Sequence, residues 1–175
     1  MRENMNLRKA PLLIGIIFIS LLLSGCPIQL VADYDAEIAK EIVHVSKQVD
    51  TFYGELLETD YPDRSYDAFK SQYISNEVNL RALVIQNNAR PLNDESISIA
   101  ETTLKLWIKY KNKHKENWEK YSHPASGGET IEAKNIYSDT MAQNHRKRFT
   151  KLFTAMSIAE RVKEMKAASG NGEAP

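Results

Sequence analysis

The chain has 175 residues, and its 23 basic residues are matched by 23 acidic ones. That is one domain's length, with a balance that argues against a dedicated nucleic-acid binder. The single cysteine, Cys26, excludes an internal disulfide and a cysteine-based zinc site, while 42% apolar residues with 7 Gly and 6 Pro suit a folded, helix-rich protein.

At the amino terminus, Arg2, Arg8 and Lys9 precede an uncharged apolar run from Pro11 to Leu23, the pattern of a secretory signal. As a helix the run would be about 20 Å long, short of the ~20 residues that cross a bilayer. It ends in Leu23-Ser24-Gly25-Cys26, which resembles the lipobox of bacterial lipoproteins. The resemblance implies removal of residues 1–25 and attachment of acyl chains to Cys26, which would become the first residue of a membrane-anchored protein facing the periplasm. Several acyl chains at ~0.8 kcal/mol per buried methylene make a durable anchor. A plain secretory signal with a chance cysteine, or a short buried helix, are the competing readings. Pro27 stands where an aspartate would signal inner-membrane retention in that class, so inner and outer membrane both stay open.

Residues 26–33 are then a short tether, and residues 34–168 carry four amphipathic segments. From Asp33 or Tyr34 to Thr59, the residues Ile38, Ile42, Val45, Val49, Phe52 and Leu56 alternate steps of four and three, an a/d stripe. Asp60-Tyr-Pro-Asp-Arg64 carries turn chemistry. Ser65 is a plausible cap for a second helix to about Ala89, with Tyr66, Phe69, Tyr73, Leu80 and Leu83 on one face and Asn76 and Asn87 interrupting it. After Arg90-Pro91-Leu92-Asn93, a third helix capped by Asn93 or Asp94 runs to about Tyr121. Its stripe reads Ile97, Ala100, Leu104, Trp107, Lys111, His114, Trp118 and Tyr121. His123 to Gly128 breaks the chain again, and a fourth helix is expected from about Glu129 to Ala167 on Met141, His145, Phe149, Leu152, Met156 and Ala159. Residues 169–175 read as a flexible polar tail. No segment alternates with period two, so the spacing predicts an all-α, antiparallel up-down-up-down four-helix bundle.

The balanced total hides segregated charge. Residues 33–67 hold ten acids and three bases, whereas residues 102–166 hold 14 bases and 7 acids. Attraction between first and last helices would set helix order; the functional alternative is a field that orients the protein toward an anionic partner. The sharpest local feature is the stretch 105–121, six lysines interleaved with four aromatics. Lys109, Lys111, Lys113 and Lys115 are the candidate partner-binding residues, because ammonium groups neutralise phosphate or carboxylate. The competing reading makes Trp107, Trp118 and Tyr121 core residues with lysines extended around them. In an upright bundle the 60–64 and 123–128 connections lie far from the anchor and the 90–93 connection near it. The basic half of the third helix would then face away from the anchoring membrane.

No reaction centre is legible. Glu41-Ile-Val-His44 matches half of a di-iron motif, but no second Glu-x-x-His occurs. If Tyr121 faces Thr130 across the last turn, His114 lies opposite Tyr137 and His145 opposite Leu106, roughly 12 Å apart and too far to share a metal. No metal, cofactor or catalytic residue is assigned.

Tyr34-Asp35, Gln48-Val49-Asp50-x-Phe52, Tyr66-x-x-Phe69-x-x-x-Tyr73 and Val78-x-Leu80-Arg81-x-Leu83 give the body a resemblance to small helical envelope lipoproteins of Gram-negative bacteria. The resemblance covers about 50 residues of the first two helices and brings no active site with it. The expected function is a lipid-anchored, non-enzymatic binding or scaffold protein whose partner is an envelope protein or peptidoglycan. The alternative is a carrier or enzyme enclosing a small ligand among Trp107, His114, Tyr137 and His145.

Overall fold

A computed structural model describes residues 31–122 and 135–170. Leu23, Ser24, Gly25 and Cys26, the Gly127-Gly128 turn and residues 171–175 lie outside the described residues. Four helices form a bundle: α1, Ala36–Glu58; α2, Tyr66–Asn88; α3, Asp94–Ser122; and α4, Asp139–Gly170. Among the described residues there is no strand, and no helix is long and apolar enough to cross a membrane.

Local chemistry sets the helix ends. Asp35 Oδ1 accepts from the Glu37 and Ile38 amides at 2.9 and 3.1 Å and starts α1, a cap worth about 1 kcal/mol. Pro62 sits in a 3-10 turn, Tyr61–Asp63, beyond the end of α1. Ser65 Oγ caps α2 through the Ala68 amide at 3.0 Å. α1 then buries Ile38, Ile42, Val45, Val49, Phe52 and Leu56, and α2 buries Tyr66, Phe69, Tyr73, Leu80 and Leu83 with Asn76 and Asn87. Both stripes are those the spacing predicts.

Neighbouring helices run antiparallel. Asn79 meets Gln48 across α1 and α2, Lys111 meets Glu77 across α2 and α3, and Arg146 closes a bidentate pair on Asp50 across α1 and α4. α1 lies beside α2 and α4, and α3 lies beside the same two. The acidic first helix is therefore diagonal to the lysine-rich third, so the charge segregation runs across the bundle. One end carries Arg64; the other carries residues 89–93 and the start of the described chain, where the Ala32 amide donates to the Leu92 carbonyl at 2.9 Å.

Two expectations need correction. α4 begins at Asp139, ten residues later than expected, because Ser138 provides the cap: its Oγ accepts from the Met141 amide and its carbonyl from the Ala142 amide. Tyr137 is thus not helical but lies in a bend, fully buried. α4 also continues through Ser169 to Gly170, into the expected tail. The buried lines of α3 and α4 are rotated from the greasiest ones. α3 buries Ser96, Ala100, Thr103, Trp107, Tyr110, His114 and Asn117, leaving Ile97, Leu104, Trp118 and Tyr121 half-buried. α4 buries Ala142, Phe149, Phe153, Met156, Glu160 and Lys163. The polar members of these lines are satisfied: Thr103 bonds the Ile99 carbonyl, Asn117 the Ile136 carbonyl, and Lys163 reaches Asn93, Ser96 and Glu160.

Candidate anion-binding groove

Between α3 and α4 lies a surface groove of about 540 Å³, lined by Tyr110 from α3 and by Met141, Asn144, His145, Lys147, Arg148 and Lys151 from α4. Helical spacing explains the set: 141, 144, 145 and 148 fall on one face, and Lys147 and Lys151 follow its rim one turn apart. Among the described residues, three cations line the groove and no carboxylate does.

Its inner wall is locked. The Tyr110 ring lies flat on the His145 imidazole, centroids 3.4 Å apart and planes within 7°. Arg148 Nη1 donates to Tyr110 Oη at 3.0 Å, and the Tyr137 hydroxyl and His145 Nδ1 are hydrogen-bonded at 2.6 Å. Burial, together with the charges of Arg148 and Lys109, holds the His145 imidazole down at about 4. At neutral pH the imidazole is therefore uncharged, which suits Nδ1 as an acceptor, and the positive field comes from lysine and arginine alone. An anion in the groove would oppose the two cations that depress His145.

Behind this wall the core is aromatic and full. Trp107 packs on Phe52, Tyr73 and Phe149 at centroid distances of 5.0, 5.3 and 5.6 Å, and its indole N–H donates to the Tyr73 carbonyl at 3.0 Å. The Tyr73 hydroxyl donates to His114 Nδ1 at 3.1 Å, and His114 Nε2 donates to the Arg64 carbonyl at 2.9 Å. Both imidazole nitrogens of His114 are thereby occupied within the protein. Burial pushes this imidazole down to about 4 and pushes the Tyr53 and Tyr73 hydroxyls up. Among the described residues the Tyr53 hydroxyl has no partner in full hydrogen-bond geometry, and the neighbouring Tyr137 hydroxyl adds to the rise that burial causes. Arg64 closes this end: Nε and Nη2 donate to the Thr59 and Leu57 carbonyls at the end of α1, and Nη1 to Tyr137 O and Asp139 Oδ1.

Trp107, His114, Tyr137 and His145, the residues around an internal ligand in the carrier reading, instead belong to one packed cluster. His114 and Tyr137 ring centroids are 4.7 Å apart and those of Tyr137 and His145 are 5.8 Å apart. The expected pairing of His114 with Tyr137 is present, but His145 lies one turn from its expected place, on Tyr110 and not opposite Leu106, so Tyr137 touches both histidines.

The four candidate lysines do not share a face. Lys111 turns toward α2 and pairs with Glu77 at 2.5 Å, half-buried. Lys113 and Lys115 are exposed and approach Glu116 and Glu119 of their own helix at 3.7 and 3.6 Å. Lys109 is exposed and adds to the field at His145. The sequence reading missed Lys147, Arg148 and Lys151; the signal was Arg146-Lys147-Arg148 followed by Lys151, four bases within six residues of α4 with no acid among them. It also missed Tyr110, which continues the four-and-three spacing of Thr103 and Trp107. Compared with known proteins, the chain matches no family model, no curated protein and no solved structure.

Proposed function

We propose that the chain is a lipid-anchored, non-enzymatic envelope protein, facing the periplasm, that binds an anionic envelope component along the groove between α3 and α4. The observation that carries this reading is the groove itself: Lys147, Arg148 and Lys151 with no carboxylate lining it among the described residues, on an inner wall formed by Tyr110, His145 and Tyr137. Arg148, held by the Tyr110 hydroxyl, loses less freedom on binding than an unheld cation would. Tyr110 stands about 24 Å along α3 from its start, so the groove opens well away from the Leu92 end. Peptidoglycan, whose stem peptides bear carboxylates, is the partner to test first; an acidic envelope protein is the other partner of this chemistry.

The test is co-sedimentation of full-length protein with isolated peptidoglycan sacculi over a salt series. Replacing Lys147, Arg148 and Lys151 together by Glu should weaken binding by about tenfold or more, since each exposed ionic contact is worth ~0.2–1 kcal/mol and reversal adds repulsion. Binding of the unaltered protein should fall with salt. Lys70→Glu, on exposed α2, should bind as the unaltered protein does. Equal sedimentation of the triple variant and the unaltered protein sinks the groove as the binding surface for this polymer.

A further inference from the structure

At the Leu92 end the bundle presents apolar side chains that no helix among the described residues covers. Ile158, Val162 and Met165 follow one face of α4 and are 57%, 44% and 57% exposed. Beside them Leu92, 53% exposed, is held at φ 57°, a left-handed conformation that a branched residue rarely adopts. Val31, Leu92, Ile99, Ile158 and Val162 line a single open groove of about 270 Å³. α4 also outruns the bundle. Lys163 is its last buried residue, tied to Asn93 and Ser96, and from Glu164 to Ser169 every side chain is exposed, about 9 Å of helix. Contiguous exposed apolar residues of this kind mark an interaction surface.

The length of the chain identifies the occupant. Val31 lines the groove, and five residue steps separate it from Cys26, at most ~18 Å of chain. An acylated Cys26 would keep this end within that distance of lipid. Arg161 and Lys166 on the projecting helix can extend toward headgroup phosphates while Val162 and Met165 enter the interface. We propose that Leu92, Ile158, Val162 and Met165 form a lipid-contact surface that rests on the bilayer carrying the anchor. The contact holds the bundle upright and points its Arg64 end away from the membrane. This inference rests on the lipid anchor of the preceding subsection.

Its test uses full-length acylated protein in vesicles of phosphatidylethanolamine and phosphatidylglycerol. With the Cys26 sulfur blocked by lipid, Leu92→Cys, Met165→Cys or Ile74→Cys each supplies one free thiol for a fluorescent label. Ile74, 51% exposed on α2, is the reference far from this end. Labels at 92 and 165 should lose most of their emission to brominated acyl chains and be shielded several-fold from aqueous iodide, whereas the label at 74 should show the reverse. Labels at 92 and 165 as open to iodide as that at 74 overturn the contact. Shielding without quenching by brominated lipid assigns the face to a second copy and overturns it equally. Flotation separates the two claims: the acylated chain should float with vesicles and Cys26→Ala should not. A Cys26-intact chain that fails to float removes the anchor and the contact together.

Discussion

Glu160→Ala should destabilise the bundle by about 3–5 kcal/mol, the range for removing one partner of a buried charge network. For a body of this size that lowers the unfolding temperature by roughly 10 °C or more. The Glu160 side chain is 2% exposed and accepts from Arg90 Nη1 and Nη2 at 3.0 and 3.2 Å and from Lys163 Nζ at 2.6 Å. Lys163 in turn donates to Asn93 Oδ1 and Ser96 Oγ, and Arg90 to the Asp33 carbonyl. Deleting the carboxylate strands two cations in a site with little access to water. The same network pins α4 to the 89–93 turn and to the start of the described chain, so the loss should be felt cooperatively. Asp50→Ala, which opens the half-exposed pair with Arg146, should cost no more than ~1 kcal/mol. Replacing Glu160, Arg90 and Lys163 together by Met should recover most of the loss, because no uncompensated charge then remains. Urea unfolding of the three variants checks the series; a Glu160→Ala loss under ~1 kcal/mol contradicts it.

The second large effect is with pH. His114 is fully buried and held at about 4, against about 6.5 in the unfolded chain. Between these values the unfolded state binds the extra proton and the folded state does not, so stability falls as pH drops. The slope is about 1.4 kcal/mol per unit, giving a loss of about 3 kcal/mol by pH ~4 and no further loss from this group below that. His145 is shifted in the same direction and is half-buried, so it adds a smaller loss over the same window. Carboxylates act lower: Arg146 holds Asp50 below its usual range, so that contribution disappears only as pH falls through and below the ordinary carboxylate value. Urea midpoints should therefore decline from about pH 6.5 downward, before any carboxylate titrates. His114→Gln should be less stable at neutral pH, through disturbance of its bonds to Tyr73 and Arg64, yet lose most of the decline. A midpoint unchanged between about pH 7 and pH 4.5 contradicts the account.

Much of the fold was legible because α1 and α2 put their apolar residues where the bundle needs them. Asp35 and Ser65 are caps a sequence can show, and Ile38 to Leu56 leaves one choice of face. In α3 and α4 the apolar residues cover a wider arc, and the greasiest line was not the central one. Trp107 and Tyr110 continue to His114 and Asn117 in the same four-and-three spacing, and Phe149, Phe153 and Met156 continue to Glu160 and Lys163. The spacing was present; the polarity of its later members concealed it, because their partners come from elsewhere in the chain: Tyr73 and the Arg64 carbonyl for His114, the Ile136 carbonyl for Asn117, and Arg90, Asn93 and Ser96 for Glu160 and Lys163. Asn93 illustrates the limit. Its carbonyl accepts from the Ile97 amide as expected of a cap, but its side chain serves Asn87 and Lys163 instead. The groove was not legible: the lysines of α3 stood out as a run, but none of them lines it, and the cations that converge belong to α4.

The binding surface is tested most directly by the titration of His145, because burial first and then the charges of Arg148 and Lys109 depress this imidazole, and an anion beside those cations would offset the part that they contribute. Full-length protein with isotope-labelled histidine, assigned through His145→Gln, would be titrated by NMR with and without soluble peptidoglycan fragments. The account predicts that saturating fragments raise the His145 midpoint from about 4 toward its ordinary value, with binding correspondingly tighter in mild acid, while His114 stays where it was. A His145 midpoint unmoved by fragments that demonstrably bind would place their site elsewhere and contradict the groove.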